Sequence, residues 1–352
     1  MKQAAFSKVI LNWYKKHGRF DLPWQHDRSL YRVWISEIML QQTQVITVIP
    51  YFQKFMAAFP DIKQLANAKQ DEVLHHWTGL GYYARARNLH KAATLITEHY
   101  DGQFPTQFDQ VLALPGIGRS TAAAILSQAL NQSHAILDGN VKRVLARYHV
   151  IAGWYGTKAV AETLWQLSEN ATPSENCADY TQAIMDLGAT LCTRSKPDCE
   201  SCPLHKNCQA FAQGNPTDYP GKKPKKAYPV KATIMMILQQ DNKILLYQRP
   251  PSGIWGSLWS FPECPSDVDS MQWCQENLGI TISKPENLPK IYHKFSHYQL
   301  DISPQLAKIK HHKQTNTIME NAPYVWYNTN QPDAIGLPAP VKELIEQLYR
   351  RN

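Results

Sequence analysis

Four of the chain's seven cysteines fall within residues 192–208, CTRSKPDCESCPLHKNC, spaced C-x6-C-x2-C-x5-C at Cys192, Cys199, Cys202 and Cys208. Thiols this dense form disulfides or hold metal. In a reducing cytosol, clustered cysteines point to metal first. Four thiolates suit both zinc and an iron–sulfur cluster. Zinc ribbons usually carry two separated C-x2-C pairs, which this run lacks. Cys177, Cys264 and Cys274 lie outside the spacing and read as packing residues.

Two carboxylates raise a second chemistry. Glu37 stands in VWISEIMLQQTQV, where the helical positions three and four away include Val33, Trp34, Leu40 and Gln41. A charge on so apolar a face is costly unless it is paired or its pKa is raised. A raised pKa suits a general acid at neutral pH. A structural glutamate paired with an arginine fits the same pattern. Asp138, in ILDGNVKRVLAR, is most simply the N-cap of a helix beginning near Asn140.

Between them lies LALPGIGRSTAAAIL. A helix is expected to end near Leu112, Pro-Gly-Ile-Gly to turn, and a small-residue helix to start at Ser120 or Thr121. Gly116 and Gly118 omit side chains where a backbone must come close to something, and the free N–H groups beyond them make a phosphate nest. An ordinary helix-to-helix turn accounts for a bare G-x-G. The full L-P-G-h-G followed by an Ala-rich helix is more specific, and it resembles the helix-hairpin-helix of DNA repair glycosylases, which grips the sugar-phosphate backbone without reading sequence.

The elements that must position these groups divide the chain. With 352 residues and 43% hydrophobic content, it has room for two globular domains. Its formal charge of +8 leans toward an acidic partner such as nucleic acid. From about residue 6 to 212, helical periodicity alternates with short loops, beginning with an amphipathic helix that ends near Gly18. NPTDYPGKKPKKAYPVK then reads as an extended basic linker. Beyond it ATIMMILQQ and KILLYQR flank the turn DN as a hairpin, strand-and-loop segments follow through HKFSHYQLDI and APYVWYN, and PVKELIEQLYRR closes as a helix. The expected fold is multidomain, α and α+β. An all-α region covers 1–214, with the hairpin at about 112–130; the linker covers 215–229 and a smaller α+β domain 230–352. No run has the length or apolarity of a signal peptide core or a membrane span, so a soluble, cytoplasmic protein is expected.

SEIMLQQTQV, GLGYYARARNLHKAA, LPGIGRSTA, LDGNVKRVLAR and the cysteine run together resemble the MutY family of adenine DNA glycosylases, across essentially the whole chain. The resemblance implies a monomeric bacterial enzyme, nucleoid-associated through DNA binding, that acts on double-stranded DNA. It would flip out and excise adenine mispaired with 8-oxoguanine or guanine, initiating base excision repair and preventing G:C to T:A transversions. One [4Fe–4S] cluster is implied on the four cysteines, with Arg194, Lys196 and Lys206 presenting that loop to phosphates. Glu37 would protonate adenine N7 and later assist the attacking water. Asp138 would stabilise the oxocarbenium-like sugar, and Asn140 would orient Asp138 or the water. Trp24 and Gln182 would contact the extruded adenine, although Trp24 equally fits a core. Gln42 and Tyr82 would wedge beside the oxidised guanine, and Gln41, Thr43 and Leu80 would add DNA contacts. Gly116, Gly118, Ser120, Lys142 and Arg143 would hold the strand. Relatives that also cut the strand carry a lysine nucleophile where this chain has Ser120, so a monofunctional glycosylase is expected, with any cleavage through Lys142 incidental.

GIWGSLWSFPE resembles the opening of a Nudix domain. The hydrolase signature continues with R-E-x-x-E-E, and CPSDVDSMQWCQENLGI has no such acidic pairs, so this domain should read rather than hydrolyse. By the same resemblance Phe295, Ser296 and His297 form the loop that contacts 8-oxoguanine. Rival readings fit the residues less well. Ser120 and the C-terminal domain count against a bifunctional pyrimidine glycosylase-lyase. The missing acidic signature counts against a nucleotide-pool hydrolase, and Glu37 with Asp138 counts against a passive DNA-binding redox protein.

Overall fold

The computed structural model describes residues 3–224, 228–312, 324–330 and 333–349. Lys225 to Ala227 of the expected linker, Ala322 and Pro323 of APYVWYN, and the last arginines of the closing helix fall outside these. The chain divides into two compact units: residues 1–67 with 88–225, and residues 68–87 with 226–352.

Helices build the first unit: α1 (Gln3–His17), α2 (Leu30–Leu40), α3 (Val45–Ala58) and α4 (Ile62–Asn67). After α5 (Gln70–His76), which belongs to the second unit, come α6 (Ala84–Tyr100), α7 (Phe108–Leu112), α8 (Arg119–Leu130), α9 (Gly139–Tyr148), α10 (Lys158–Ala171), α11 (Cys177–Thr190) and α12 (Gln209–Ala212). Apolar residues three and four apart supply the buried faces: Ile10 and Tyr14 on α1, Val141, Val144 and Leu145 on α9, Tyr180, Ile184 and Leu187 on α11. These faces meet in one core. Burial contributes roughly 1.5–3 kcal/mol for each such large side chain. On α8 the run Ala122–Ala124 is buried, and small side chains let α2 and α11 pack close to it.

The two helices that matter most begin as the sequence dictates. α7 ends at Leu112 and α8 starts at Arg119 after the Pro-Gly-Ile-Gly turn, with Ile117 N–H donating to Leu114 O at 3.2 Å. Asp138 caps α9, its Oδ1 accepting from Val141 N–H at 2.8 Å.

The second unit is built on a mixed sheet. β1 (Val230–Gln240) and β2 (Lys243–Gln248) form the expected hairpin, Gln240 opposite Lys243, with Asp241 left-handed at φ 52° in the turn. The short β3 (Trp259–Ser260) pairs with β2, and β4 (Glu263–Cys264) with β1. Then come α13 (Ser270–Leu278), β5 (Ile280–Ile282), β6 (Glu286–Asn287), β7 (Ile291–Lys294), β8 (Gln299–His312), β9 (Tyr324–Asn328) and α14 (Ala339–Tyr349). β1 and β8 run parallel from Val230 opposite Gln299 to Gln239 opposite Lys308. Thr233 to Leu238 of β1 are buried without alternation, the pattern of a strand covered on both faces. Cys264 and Cys274 are buried in this unit's core, and Cys177 is buried in the first.

Residues 68–87, read from sequence as part of the helical region, join the second unit through specific hydrogen bonds. Gln248 Nε2 donates to Asp71 Oδ1 at 3.2 Å, Tyr83 Oη to Leu337 O at 3.1 Å, and Arg87 Nη1 to Gly256 O at 2.7 Å. Among the described residues, no helix is long and apolar enough to cross a membrane.

Candidate active site

A cleft of about 510 Å³ opens in the first unit between α2, the segment after it, the hairpin, the start of α9 and α11. Glu37 and Asp138 both line it. Glu37 takes no arginine. Its Oε1 accepts from Gln128 Nε2 at 2.8 Å, and no ion pair to it occurs among the described residues. Burial pushes the Glu37 carboxyl up to about 7; the Gln128 donor opposes the shift and the charge on Asp138 adds to it. Asp138 is also raised by burial, against the Val141 N–H, the Asn140 side chain and backbone N–H, and the charge of Arg143. One oxygen of Asp138 caps α9 while the other accepts from Asn140 Nδ2 at 3.2 Å. Capping and facing the cleft are therefore not alternatives for this side chain. The result is two neighbouring carboxyls in unlike settings: one met by a single neutral donor, one fixed by several.

The cleft also gathers Trp24, Gln41, Gln42, Thr43, Gly118, Ser120, Asn140 and Gln182. Trp24 is buried with its ring edge-on to Phe52 at 5.4 Å, so it lines the cleft from the core. Gln42 is exposed and strained, with φ 60°. Gln41 Nε2 donates to Thr121 Oγ1 at 3.3 Å, and Thr43 Oγ1 reaches Gln41 O at 3.5 Å. Ser120 Oγ accepts from Leu137 N–H at 2.9 Å, tying the hairpin to the segment that delivers Asp138. Gln182 is buried: its Oε1 accepts from Gln25 Nε2 at 2.6 Å, and its Nε2 donates to Asp186 Oδ1 at 2.7 Å.

The hairpin glycines differ. Gly116 has φ +80°, and a Cβ there would lie 2.9 Å from the Asn88 Cβ, so the fold itself requires glycine. Gly118 has an ordinary backbone, and a Cβ on it would meet nothing within 4 Å. The protein leaves that space open at the mouth of the cleft.

Other expected contacts lie elsewhere. Lys142 stands outside the cleft lining, its Nζ over the Tyr155 ring at 5.1 Å. Arg143 turns inward rather than out toward a phosphate: Nε donates to Cys192 O at 2.7 Å, Nη2 to Gly188 O at 2.6 Å and to Asn140 Oδ1 at 2.8 Å. A guanidinium fork beside three carbonyl-type acceptors is held by them, so it serves the fold and Asn140. Leu80 and Tyr82 belong to the second unit, Leu80 buried and Tyr82 exposed at φ 50°, with Arg85 over its ring at 5.5 Å. In the same unit Phe295, Ser296 and His297 form the turn between β7 and β8, closed by Phe295 N–H to Tyr298 O at 2.9 Å. Ser296 and His297 are exposed, and the Phe295 ring packs at 5.2 Å from Trp255 and 4.6 Å from His293.

Cys192, Cys199, Cys202 and Cys208 line one cavity with Val144, Leu187, Leu204 and Phe211. Arg147, buried in α9, reaches into the loop: Nη1 donates to Cys192 Sγ at 3.3 Å and Thr193 O at 2.7 Å, Nη2 to Arg194 O at 2.8 Å, and Nε to Tyr219 O at 3.0 Å. Burial pushes the Cys202 thiol up to about 12 and raises Cys199 and Cys208 as well. Among the described residues, no three His, Cys, Asp or Glu side chains gather around a single-ion site. The donor set is four sulfurs in a mostly apolar cavity with one cation, which fits a group that spreads its charge over several atoms.

Sequence reasoning missed Gln25, Gln128, the Arg19–Asp186 pair and Arg147. Arg19 donates to Asp186 through its backbone N–H at 2.9 Å and Nε at 2.8 Å, beside Gln182. A signal existed for two of them. Gln128 is four residues from Ala124 and seven from Thr121, a polar side chain on the face of α8 that meets the cleft. Arg147 sits one turn beyond Arg143, among the apolar positions of α9.

Family comparison agrees with this geometry. Residues 35–170 match the model of the HhH-GPD superfamily base excision DNA repair protein, and residues 233–347 match the NUDIX domain. The adenine DNA glycosylase of Buchnera aphidicola subsp. Acyrthosiphon pisum is 44% identical over 352 residues, covering 100% of this chain and 99% of that protein. The adenine DNA glycosylase of Mus musculus is 33% identical over 84% of this chain and 69% of that protein. A solved thermostable thymine-DNA glycosylase matches 60% of this chain and 97% of its own at 28% identity and TM-score 0.53. An endonuclease III–DNA complex at 21% identity and TM-score 0.51, covering 61% of this chain and 98% of that one, shares the helical fold. With the cleft, the hairpin, both domain matches and full-length identity in agreement, the chain belongs to the adenine DNA glycosylase family.

Proposed function

We propose that this enzyme flips adenine out of duplex DNA, where it is mispaired with 8-oxoguanine or guanine, and hydrolyses its N-glycosidic bond without cutting the strand. The chain is a DNA N-glycosylase, a hydrolase of base excision repair. The observation that carries the rest is the shared cleft, with a glutamate raised to about 7 facing an aspartate bound by several donors.

Each residue then has a task. Glu37, still protonated near neutral pH, protonates adenine N7 and makes the base a leaving group. Asp138, held by Val141 N–H and Asn140, presents its charge to the oxocarbenium-like sugar. Glu37, now an anion stabilised by Gln128, takes a proton from the attacking water. Gln182 and Trp24 line the pocket for the extruded base, and Gln42 and Tyr82 serve as wedges. Gly118 leaves the hairpin backbone bare for a phosphate, and as the N-cap of α8 it stands beside that helix's first-turn N–H groups. Ser120 offers no amine for a Schiff base, which supports monofunctional chemistry.

Cys192, Cys199, Cys202 and Cys208 would hold a [4Fe–4S] cluster. When bound, such a cluster would supply a redox-active centre and tie residues 192–208 together, while Arg147 of α9 holds the loop through its hydrogen bonds. In the second unit, the Phe295–Ser296–His297 turn is the reader of 8-oxoguanine, with its two exposed polar side chains beside an aromatic cluster. α13, which follows the Nudix-like opening, carries Glu276 and the cap Asp269 but no R-E-x-x-E-E series, which supports a binding rather than hydrolytic role. The enzyme works as a monomer in the bacterial cytoplasm, on the nucleoid.

Labelled duplexes holding A opposite 8-oxoguanine, A opposite G, or an oxidised pyrimidine test this directly. The expected products are alkali-dependent cleavage at adenine, faster opposite 8-oxoguanine, and none at the pyrimidine. Cleavage before alkali, or at the pyrimidine, would overturn the reading.

A further inference from the structure

The proton donor in the cleft is not held by a charged partner but by a row of amides behind it. Gln128, buried in α8, donates Nε2 to Glu37 Oε1 at 2.8 Å. Its own Oε1 accepts from Gln25 Nε2 at 3.4 Å, and the same Gln25 nitrogen donates to Gln182 Oε1 at 2.6 Å. Gln182 continues to Asp186, which Arg19 fixes from the other side. The row therefore runs from an ion pair to the carboxyl that meets the base.

Its direction is dictated by chemistry. Gln25 Oε1 is buried without a partner, whereas Gln25 Nε2 serves two acceptors. Reversing that amide would set its oxygen against two carbonyl oxygens, which is worse than one orphan acceptor. With Gln25 so fixed, the carbonyl of Gln128 faces Gln25 and its NH₂ group is aimed at Glu37. Gln128 thus always offers a donor, and a donor favours the carboxylate over the carboxylic acid.

We propose that Gln128, oriented by Gln25, is a positioning residue that holds the Glu37 carboxyl toward the cleft by donating to its Oε1. The inference rests on the proposed role of Glu37 as the acid. Other charges that face Glu37 are few: Asp138 across the cleft, with Arg143 behind it, and the Arg19–Asp186 pair at the end of the row. Asp138 raises the proton affinity of Glu37 and Gln128 lowers it. Gln128 is the neutral counterweight, and it links the acid to the residue proposed to contact the base.

The test is the pH profile of single-turnover adenine release by the full-length protein on the A:8-oxoguanine duplex. Protonated Glu37 is needed, so activity falls as pH rises through its pKa. Gln128→Leu removes the donor, and the alkaline limb should move up by about one pH unit, the size of a hydrogen bond to a charged group. Gln128→Glu places a second carboxyl there and should move it further. Gln25→Leu, which frees Gln128, should move it less. This ordering is the expected result, and a structural role alone would lower rates without moving the limb. If Gln128→Leu fails to fold, Gln128→Met of matching length takes its place. A folded, active variant with an unmoved alkaline limb overturns the inference. Normal adenine release by Glu37→Gln in parallel would instead remove Glu37 as the acid, so the two failures are told apart.

Discussion

In the cleft, burial raises a carboxyl and a neutral amide, Gln128, answers it; in the cysteine cavity, burial raises thiols and a cation, Arg147, answers them. Both regions desolvate ionisable groups, and α9 serves both, with Asp138 at its N-terminus and Arg147 in its last turn. The difference lies in the partner each region supplies, a neutral amide for Glu37 and a guanidinium beside the cysteines. The general-acid role proposed for Glu37 needs a proton retained near neutral pH, and the partner of Glu37 is one neutral donor. Cysteines that bind the proposed cluster would lose their protons, and the guanidinium of Arg147, charged at any physiological pH, opposes the rise at Cys199 and Cys208. The fold thus meets desolvated groups with a neutral donor at one end of the helix and a cation at the other.

The sharpest way to break this comparison is Glu37→Gln. Adenine release should fall about 10³-fold or more while mismatch binding persists, because only the proton donor is lost. A second consequence concerns stability. The folded-state pKa of Glu37, about 7, lies above its ordinary 4.5, so its contribution favours the fold at low pH and is lost as pH rises through about 7. Glu37→Gln should therefore be more stable than the parent at pH 8, by roughly 1–3 kcal/mol, with the gap closing below pH 5. Denaturant unfolding at both pH values checks this. Equal stability differences at pH 5 and 8 would show that burial does not keep the proton on Glu37.

The matching change in the other region is Cys202→Ala. Iron and sulfide bound per chain should drop sharply, and the melting temperature should fall by on the order of 10 °C, because metal binding and folding are coupled. Rates of base release from DNA already bound should change far less than for Glu37→Gln. Full iron content in the variant would remove Cys202 from the ligand set. Zinc in the parent protein, in place of iron, would reverse the cofactor assignment.

What could be seen in the sequence was local. The cysteine spacing, the Pro-Gly-Ile-Gly turn and the cap at Asp138 each lie within about twenty residues, and chain geometry alone brings them together. Asp138 shows the limit of that reading: the sequence sets capping against a place in the cleft, yet one oxygen caps α9 while the other accepts from Asn140 in the cleft. The partners of the site came from far along the chain. Gln128 lies 91 residues from Glu37, Gln25 lies 157 from Gln182, and Arg143 reaches a carbonyl 49 residues away. Only the packing of α2 and α11 against α8 joins them. Arg143 is the instructive case. A basic residue after a DNA-binding hairpin reads as a phosphate contact, but carbonyls of Gly188 and Cys192 left unsatisfied inside α11 and its C-terminal loop claim it first. The placement of residues 68–87 with the second unit was equally invisible, because it depends on Arg87 and Tyr83 finding acceptors at Gly256 and Leu337.

The gentlest probe lies where the two regions touch. Arg143 holds Asn140 Oδ1 at 2.8 Å, Asn140 holds Asp138 Oδ2 at 3.2 Å, and the same guanidinium grips the Cys192 carbonyl. Asn140→Ala removes the middle amide but leaves its backbone N–H and that of Val141 as donors to Asp138. Asp138 must be an anion to stabilise the sugar, so the rate falls as pH drops through its pKa. That pKa is already raised by burial, and loss of one donor raises it further. The acid limb of the single-turnover profile should therefore move up by about half a pH unit, with a rate loss near pH 7 of roughly 3- to 10-fold. The alkaline limb, which belongs to Glu37, should stay where it is. Because Arg143 keeps Cys192 and Gly188, iron content should also be unchanged. An acid limb that stays put would mean that Asn140 orients water rather than Asp138, and a loss of iron would mean that the two ends of α9 are set together rather than separately.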